Sequence, residues 1–275
     1  MIAMRYPSNT PLGRFQIETL EEGTDRCMAS MPIAGLVNPL TGAPTVGPLA
    51  MLVDHIGGLA NHRRRNPDEW TVTSELAIEF TSTAATVIAG SAEQPVTAAA
   101  RPFGPKGPAS MSICELTCGR VPVATATVRS FHIRAPEHLG RWPTRSDDTE
   151  AAAVPPSLAA RLSVDVAEGG GAKVLRQLQD PALNNLIGIV HGGISATALE
   201  LVASAAVNEG RAQRPLQTAS LRVNYLRQFS AGAESRYEAT TLRVGRSSGV
   251  ADAKAVGADG QVALLARLTA YPRID

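Results

Sequence analysis

The chain has 275 residues, which is enough for two domains of modest size at roughly 150 residues each. Hydrophobic residues make up 44% of it, charged residues 19%, and the formal net charge is +1, so no basic excess indicates a nucleic-acid partner. Cys27, Cys114 and Cys118 lack zinc-ligand spacing, and no apolar run has the length of a signal peptide or membrane span. We expect a cytoplasmic protein with reduced thiols, no metal and no membrane partner.

The first half of the chain predicts one helix followed by four strands. A strand-forming opening over Gly13–Pro32 leads through an irregular loop to a helix over Gly47–Arg65. Strands are then predicted over Trp70–Thr81, Ala85–Pro102, Ala109–Cys118 and Val121–Ile133, because β-branched runs there are bounded by turn residues.

The second half repeats this order. Residues 136–156, rich in Pro, Arg, Asp and Ala, are predicted to link a unit at 1–135 to a unit at 157–275. The second unit opens with a strand over Ala159–Val166 and continues with a helix over Gly192–Glu209. Its later strands are predicted over Gln217–Phe229, Ser235–Val244, Gly249–Gly257 and Gln261–Tyr271.

The two halves also match in spacing. Thr45–Asp54 can be laid over His191–Glu200, so that Asp54 falls on Glu200 at an offset of 146 positions. Gly104 and Gly245 match at an offset of 141. The spacing indicates that one unit was duplicated within the chain.

The chemistry is concentrated at the start of the second predicted helix. Asn185 precedes His191-Gly192-Gly193, and glycines at a helix start let the backbone approach a ligand closely. The first helix amides have no internal partners and carry the positive end of the helix dipole, so they suit an oxygen that bears negative charge.

Two helical acids stand out in the same way. Glu200 and Asp54 have no Lys or Arg three or four residues away on their predicted helices, so neither has the usual helical ion-pair partner. Each is a candidate general base. The simpler interpretation is a solvated helical carboxylate beside an ordinary Gly-Gly turn, but the combined spacing favours a functional site.

These residues resemble the hotdog-fold acyl-CoA thioesterases, in the phenylacetyl-CoA thioesterase-like branch. In that branch an Asn lies six residues before a His-Gly-Gly and an acid lies nine after the His, as Asn185, His191 and Glu200 do here. Thr218 matches a hydroxyl residue eighteen positions after the acid in some members. The resemblance implies an α+β chain of two tandem hotdog folds, each a long central helix wrapped by an antiparallel sheet, that form an intramolecular pseudo-dimer.

The resemblance also implies that each active site lies between two units. One unit supplies the helix-start amides and the Asn, and the other supplies the acid. The preferred catalytic set is therefore Asn185, His191 and Gly192 with Asp54 from the first unit. The second set joins Thr45 and Val46 to the remaining catalytic candidates, Glu200 and Thr218.

The second set departs from the family's pattern. Thr45 stands in place of the His, and Pro39 stands in place of the Asn, with Asn38 adjacent. Val72 lies opposite Thr218 at the 146 offset, and Thr73 is expected on the other strand face unless the register slips by one.

The resemblance predicts hydrolysis of an acyl-CoA thioester by a carboxylate that acts as a base or a nucleophile beside an oxyanion hole. Gly193 and the turn Gly245-Arg246-Ser247 are the predicted coenzyme A contacts; coenzyme A is part of the substrate, so no separate cofactor is expected. Two alternatives are a non-catalytic acyl-CoA-binding double hotdog and, with less support, a hotdog hydratase or dehydratase. A homo-oligomer of the fused unit is expected.

Overall fold

One helix-and-sheet unit occurs twice along the chain. The structure is a computed structural model that describes residues 3–33, 35–90, 94–137, 139, 153–169, 172–211 and 213–273. The N-terminal unit comprises β1 (Met4–Arg5), α1 (Pro11–Arg14), β2 (Glu18–Glu22), β3 (Cys27–Met31), α2 (Leu49–His62), β4 (Glu69–Phe80), α3 (Ala84–Gly90), β5 (Val96–Phe103), β6 (Ala109–Cys118) and β7 (Val121–Arg134).

The C-terminal unit follows the same plan without a counterpart of α3. It comprises α4 (Leu158–Leu162), β8 (Val164–Gly169), β9 (Ala172–Gln177), a short 3-10 helix (Pro181–Leu183), α5 (Gly192–Val207), β10 (Leu216–Tyr225), β11 (Arg236–Val244), β12 (Gly249–Val256) and β13 (Val262–Pro272).

All strands join one antiparallel sheet whose order reveals the duplication. The order is β1-β2-β3-β5-β6-β7-β4-β10-β13-β12-β11-β9-β8, so the two units meet where β4 pairs with β10. Ala77 pairs with Arg222 there, and the same offset of 145 positions relates Thr73 to Thr218. The pseudo-twofold axis therefore passes between β4 and β10, and the predicted tandem hotdog architecture is confirmed.

The long helices α2 and α5 lie inside the sheet and pack against each other. Nearly every residue of α5 from Gly193 to Val207 is buried, which explains why its sequence has no polar face. In α2, a Cβ atom at Gly57 would lie 2.5 Å from Cγ2 of Val128. The glycine therefore allows α2 to lie directly against β7.

The units also share features that were not predicted. The helices α1 and α4 begin with hydroxyl N-caps, Thr10 and Ser157, and Gln16 and Ser163 after them have the left-handed φ values of 53° and 48°. A side chain that caps the first free amides stabilises such short helices. The duplication therefore includes the opening of each unit.

Three predicted segments need correction. The predicted strand Ala85–Pro102 is wrong in its first part, because Ala84–Gly90 is helical and a strand begins only at Val96. Ala84 and Ile88, one helical turn apart, are buried there, and a short apolar run does not distinguish this pattern from a strand. The predicted opening strands Gly13–Pro32 and Ala159–Val166 likewise begin in helices α1 and α4.

The predicted linker, 136–156, lies largely outside the described residues. None of the helices in the described part of the chain is long and apolar enough to cross a membrane.

An ion pair ties the two units together away from the sheet. Arg14 Nη2 lies 2.5 Å from Asp180 Oδ2, with side chains only 14% and 21% exposed. Arg14 also donates to Ser163 Oγ at 2.9 Å, and Ser163 donates to Asp180 at 2.6 Å. Burial raises the pKa of Asp180, but hydrogen bonds from Ser163 and Ala182 and the Arg14 charge outweigh it and lower the pKa.

We expect Arg14→Met to lower the free energy of unfolding by about 1–3 kcal/mol, because it leaves a partly buried carboxylate without its counter-charge. Urea denaturation followed by circular dichroism measures this. Arg5→Met is the control, since the pair of Arg5 with Glu18 is 62% exposed on the arginine side and is expected to contribute at most about 1 kcal/mol. Equal losses in the two variants would contradict the assigned role of Arg14.

Candidate active site

Asp54 lies where the two units meet, in the second turn of α2. Its side chain is 6% exposed, and its Oδ1 accepts a hydrogen bond from Thr73 Oγ1 at 2.8 Å. Its Oδ2 lies 3.2 Å from His191 Nδ1, at the start of α5 in the other unit. The carboxylate from one unit therefore meets the helix start of the other, as the preferred catalytic set requires.

The two glycines after His191 make this approach possible. A Cβ at Gly192 would lie 2.8 Å from Asp54 Oδ2, and a Cβ at Gly193 would lie 2.7 Å from the Cα of Met51. Contacts this short do not occur between real side chains and their neighbours. The Gly-Gly pair thus serves the close packing of α5 on α2 and exposes backbone next to the carboxylate.

The proton on His191 decides how Asp54 is held. The Nδ1 atom of His191 is also 3.1 Å from the Gly193 amide nitrogen, and in neutral imidazole one nitrogen cannot both donate and accept. We assign the proton to Nδ1, because an unprotonated nitrogen would set its lone pair against a buried carboxylate. Asp54 then accepts hydrogen bonds from His191, Thr73 and the Gly193 amide.

These donors keep Asp54 ionised. Burial is the largest influence and raises the pKa of Asp54, but the hydrogen bond and charge of His191, with the bonds from Thr73 and Gly193, together outweigh it. The net pKa lies below the ordinary aspartate value. The centre around Asp54, Thr73, His191, Gly192 and Gly193 (the Asp54 centre) therefore contains a buried, charged carboxylate.

Glu200 is the acid of a second, related centre. Its Oε1 accepts from Thr218 Oγ1 at 2.6 Å and its Oε2 from Thr45 Oγ1 at 2.9 Å, and the residue is 1% exposed. Burial raises the pKa of Glu200, and two neutral hydroxyls offset only part of that rise. The environment of Glu200 (the Glu200 centre) therefore shifts the pKa of its acid upwards, whereas the Asp54 centre shifts the pKa of Asp54 downwards.

The two centres share one plan. Each acid is held by a threonine from its own unit, Thr73 or Thr218, and by the residue that precedes the other unit's helix, His191 or Thr45. Since each helix start contacts the middle of the other helix, α2 and α5 run antiparallel.

Thr73 takes the place that the offset of 146 assigned to Val72, because Thr73 lies 19 positions after Asp54 whereas Thr218 lies 18 positions after Glu200. A β-bulge follows Thr73 in its pairing with β7, and another follows Thr218 in its pairing with β13. The extra residue in each bulged strand reverses which side chains face inward. Thr73 therefore points to Asp54, although later inward positions of β4, such as Leu76, have the opposite parity.

The loop asparagines Asn38 and Asn185 also correspond in position, although their side-chain nitrogens have different hydrogen-bond partners. Asn185 Oδ1 accepts from the amides of Ile187 and Ile189, and Asn38 Oδ1 accepts from the amide of Leu40. Asn38 is thus the counterpart of Asn185, and the alignment that placed Pro39 there was one residue off. The side-chain nitrogen of Asn38 donates to α5, whereas that of Asn185 donates to none of the described residues.

Sequence reasoning missed Tyr225 and His55. Tyr225 donates to the Gly192 carbonyl at 3.1 Å, and burial raises its pKa well above the ordinary value, with a further rise from Asp54. Burial lowers the pKa of His55 to about 3, and its Nε2 lies 2.9 Å from Thr19 Oγ1. His55 follows Asp54 directly, and Tyr225 continues the alternation of the buried Leu221 and Val223, so adjacency and strand period were usable signals.

The predicted coenzyme A contacts lie at two separate places in the structure. Gly193 lies at the Asp54 centre, whereas Gly245-Arg246-Ser247 form the turn between β11 and β12. Arg211, just beyond α5, donates to the carbonyls of Gly245 and Arg246. The 16 residues of α5 separate that turn from Gly192 by roughly 24 Å along the helix. The turn is therefore closer to the Glu200 centre than to the Asp54 centre. Its role in binding coenzyme A stays a prediction.

In the N-terminal unit, the turn that corresponds to Gly245-Arg246-Ser247 lies between β5 and β6 and begins at Gly104, whose carbonyl accepts a hydrogen bond from Arg64. Within the described ranges, no three metal-ligating side chains are gathered in a way that could hold an ion.

Comparison with known proteins finds a family match for part of the chain. Residues 187–264 match the thioesterase superfamily, a segment that contains His191, Glu200 and Thr218. No curated protein matches the chain.

Solved structures match nearly the whole chain at low identity. A TesB protein from Mycobacterium avium subsp. paratuberculosis has a TM-score of 0.62 at 9% identity, covering 95% of this chain and 97% of the other. The acyl-CoA thioesterase II TesB2 from Mycobacterium marinum has a TM-score of 0.60 at 13% identity, covering 97% and 99%. A hotdog-fold protein from Alicyclobacillus acidocaldarius has a TM-score of 0.58 at 13% identity, covering 94% and 96%.

At these identities the solved structures show a shared fold alone. The family model matches residues 187–264 only. The chain is therefore a double-hotdog protein similar in fold to the TesB-type thioesterases, and residues 187–264 of its C-terminal unit match the thioesterase superfamily.

Proposed function

We propose that the protein hydrolyses acyl-CoA thioesters at the Asp54 centre. The observation that carries this proposal is the buried, ionised carboxylate of Asp54 held against the N-terminus of a 16-residue helix from the other unit. A carboxylate supplies a base or nucleophile, and a helix N-terminus stabilises negative charge on oxygen. Both are needed to add water to a thioester carbonyl.

The Gly192 amide is the proposed first donor of the oxyanion hole. It is the first helical residue of α5, and its N–H donates to none of the described residues. The helix dipole adds partial positive charge at this position. The Asn185 side-chain nitrogen, which also has no partner among those residues, is the proposed second donor. Aligned donors of this kind are commonly the largest single contribution to such catalysis.

Asp54 is proposed to activate the nucleophile. It accepts a proton from water as the oxygen adds to the carbonyl carbon, and the proton then goes to the sulfur as the carbon–sulfur bond breaks. Direct attack by Asp54 on the carbonyl carbon would instead break the carbon–sulfur bond, release coenzyme A as its thiolate and form a mixed anhydride, which water cleaves to the free acid and the Asp54 carboxylate. Both routes require the ionised carboxylate, and neither requires a cofactor beyond the coenzyme A of the substrate. An acyl-CoA is proposed because one similar structure is described as an acyl-CoA thioesterase.

We expect Asp54→Asn to lower kcat/KM for acyl-CoA hydrolysis by about 10²–10⁴-fold, because the amide cannot accept a proton or attack. Turnover is measured over a panel of acyl-CoAs by release of the free thiol, with ligand binding measured in parallel. Glu200→Gln is the matched control in the related centre and is expected to retain turnover.

The opposite pattern, loss in Glu200→Gln with full activity in Asp54→Asn, would transfer the reaction to the Glu200 centre. Binding of acyl-CoA without turnover in the wild-type protein would favour the non-catalytic alternative.

A second prediction concerns the pH dependence of the reaction. His191 gives the largest contribution that lowers the pKa of Asp54, so its removal raises that pKa. A base works above its pKa, and we therefore expect His191→Ala to move the acid limb of the kcat/KM profile to higher pH. The control is Thr45→Ala, which changes the corresponding position of the Glu200 centre. An unmoved acid limb in His191→Ala would show that this imidazole does not hold the charge on Asp54.

The Glu200 centre is proposed to act as a buried link between the units. Glu200 bonds to one threonine from each unit, and the position of a Cβ at Gly47 would lie 2.5 Å from its Oε2. Both carboxyl oxygens of Glu200 are therefore engaged by side chains, one from each unit. Its raised pKa fits a neutral acid that holds hydrogen bonds better than a base that must be charged.

This role predicts a stability effect. The folded state raises the pKa of Glu200 above its ordinary value of 4.5, so the protonated side chain contributes its full stability below about pH 4.5. That contribution is lost as the pH rises through the folded-state pKa. Glu200→Gln, which carries no charge, is therefore expected to have a higher Tm than the wild type at pH 8. The difference should shrink towards pH 4; a Tm difference independent of pH would contradict it.

A further inference from the structure

Gly58 is an unexplained glycine in the middle of α2. A Cβ there would have only one neighbour within 4 Å among the described residues outside its own helix backbone, Thr73 Oγ1 at 3.9 Å. At the preceding position the reverse holds, because a Cβ at Gly57 would overlap Val128. Packing therefore requires glycine at 57 and does not require it at 58. Since glycine weakens a helix interior relative to alanine, its presence at 58 needs another reason.

The open space beside Gly58 adjoins the Asp54 carboxylate. Gly58 follows Asp54 by one helical turn, so the two lie on the same face of α2. The hydroxyl nearest to Gly58, that of Thr73, is the one that donates to Asp54 at 2.8 Å. Gly58 is also half-buried, whereas Gly57 is buried.

The duplicated unit shows the same position filled. At the offset of 146, Gly58 corresponds to Ser204, one turn after Glu200. Ser204 Oγ accepts from the side-chain nitrogen of Asn38 at 3.1 Å, and the same nitrogen donates to the Leu201 carbonyl at 2.9 Å. Asn38 is 2% exposed, so a buried asparagine and the serine fill the position one helical turn after Glu200.

At the Asp54 centre neither a side chain like that of Ser204 nor a hydrogen-bonded asparagine amide like that of Asn38 is found among the described residues. Gly58 has no side chain, and Asn185, the counterpart of Asn38, is half-buried with a side-chain nitrogen that meets no acceptor in the described part of the chain. The fold tolerates a filled position, as the C-terminal unit demonstrates. The open position therefore serves the site and not the scaffold.

We propose that Gly58 determines access to the Asp54 centre, by leaving open the groove through which the chain on the sulfur side of the thioester passes. The inference rests on the proposed function. It also explains why the Glu200 centre is closed, since Ser204 and Asn38 occupy the matching groove.

The groove suits an uncharged arm that carries amides. Thr73 borders it near the carboxylate, and His62, one turn beyond Gly58, bonds to Thr71 at 2.8 Å. The same helix end carries Arg63, Arg64 and Arg65. Polar side chains followed by cations fit the thiol arm of coenzyme A better than they fit an aliphatic acyl chain.

The test compares Gly58→Ala, Gly58→Ser and Gly58→Leu with the matched control Ser204→Ala, which changes the corresponding position of the other helix. Each is assayed with an acyl-CoA and with the S-ethyl thioester of the same acid, which lacks the arm. Wild-type turnover and its loss in Asp54→Asn are established first, so that failure of the proposed function is recognised separately.

We expect Gly58→Ala to raise Tm, because a Cβ enters open space in a helix, and yet to raise KM for the acyl-CoA. Gly58→Ser should behave similarly, and Gly58→Leu should lower kcat/KM for the acyl-CoA by about 10- to 100-fold. Hydrolysis of the S-ethyl thioester should not change, and Ser204→Ala should retain activity with both substrates.

Full acyl-CoA activity in Gly58→Leu would overturn the inference while leaving the proposed function intact. A lowered Tm in Gly58→Ala would overturn the claim that the space is open. Equal losses with both substrates would overturn the assignment of the groove to the sulfur side. Because the alanine and serine variants are small, they keep the proposal testable if the leucine variant does not fold.

Discussion

The antiparallel packing of α2 against α5 is the constraint on which the rest of the structure depends. It brings the start of each helix close to the middle of the other, so that a carboxylate from one unit faces a polar side chain from its neighbour, His191 at Asp54 and Thr45 at Glu200. Gly192 and Gly193 set the distance, since a Cβ at either would collide with α2. The continuous pairing of β4 with β10 holds the two units in this relation.

From this shared scaffold the two centres have diverged in charge. Burial alone would push both acids towards the neutral form. At Asp54, His191 adds a donor and charge to those of Thr73 and Gly193, and the balance turns towards the anion; at Glu200, two threonine hydroxyls do not reach that point. The exchange of an imidazole for a hydroxyl at one position thus separates a centre that lowers the pKa of its acid from one that raises it.

Much of this was predictable from the sequence, and the errors have a common cause. The long helices and most later strands followed from local periodicity and the matched spacing of the halves, whereas the pairing of Asp54 with His191 followed from the family resemblance. The strand predicted over Ala85–Pro102 failed because a short apolar run has no distinctive period. Val72 was placed opposite Thr218 because the segment between the helix acid and the strand threonine is one residue longer in the first unit, and a constant offset cannot allow for that.

By itself, the sequence determined the duplication, the glycine-opened helix start and the two unpaired acids, because these depend on helix geometry and the absence of a Cβ. Only the tertiary structure decided that Thr73 donates to Asp54, that the side chain of Asn38 donates to α5, and that Thr45 donates to Glu200. These outcomes depend on bulges, strand pairing and burial, which arise from contacts between residues far apart in the chain. The charge on each acid was settled there too, since desolvation exists only in the folded state.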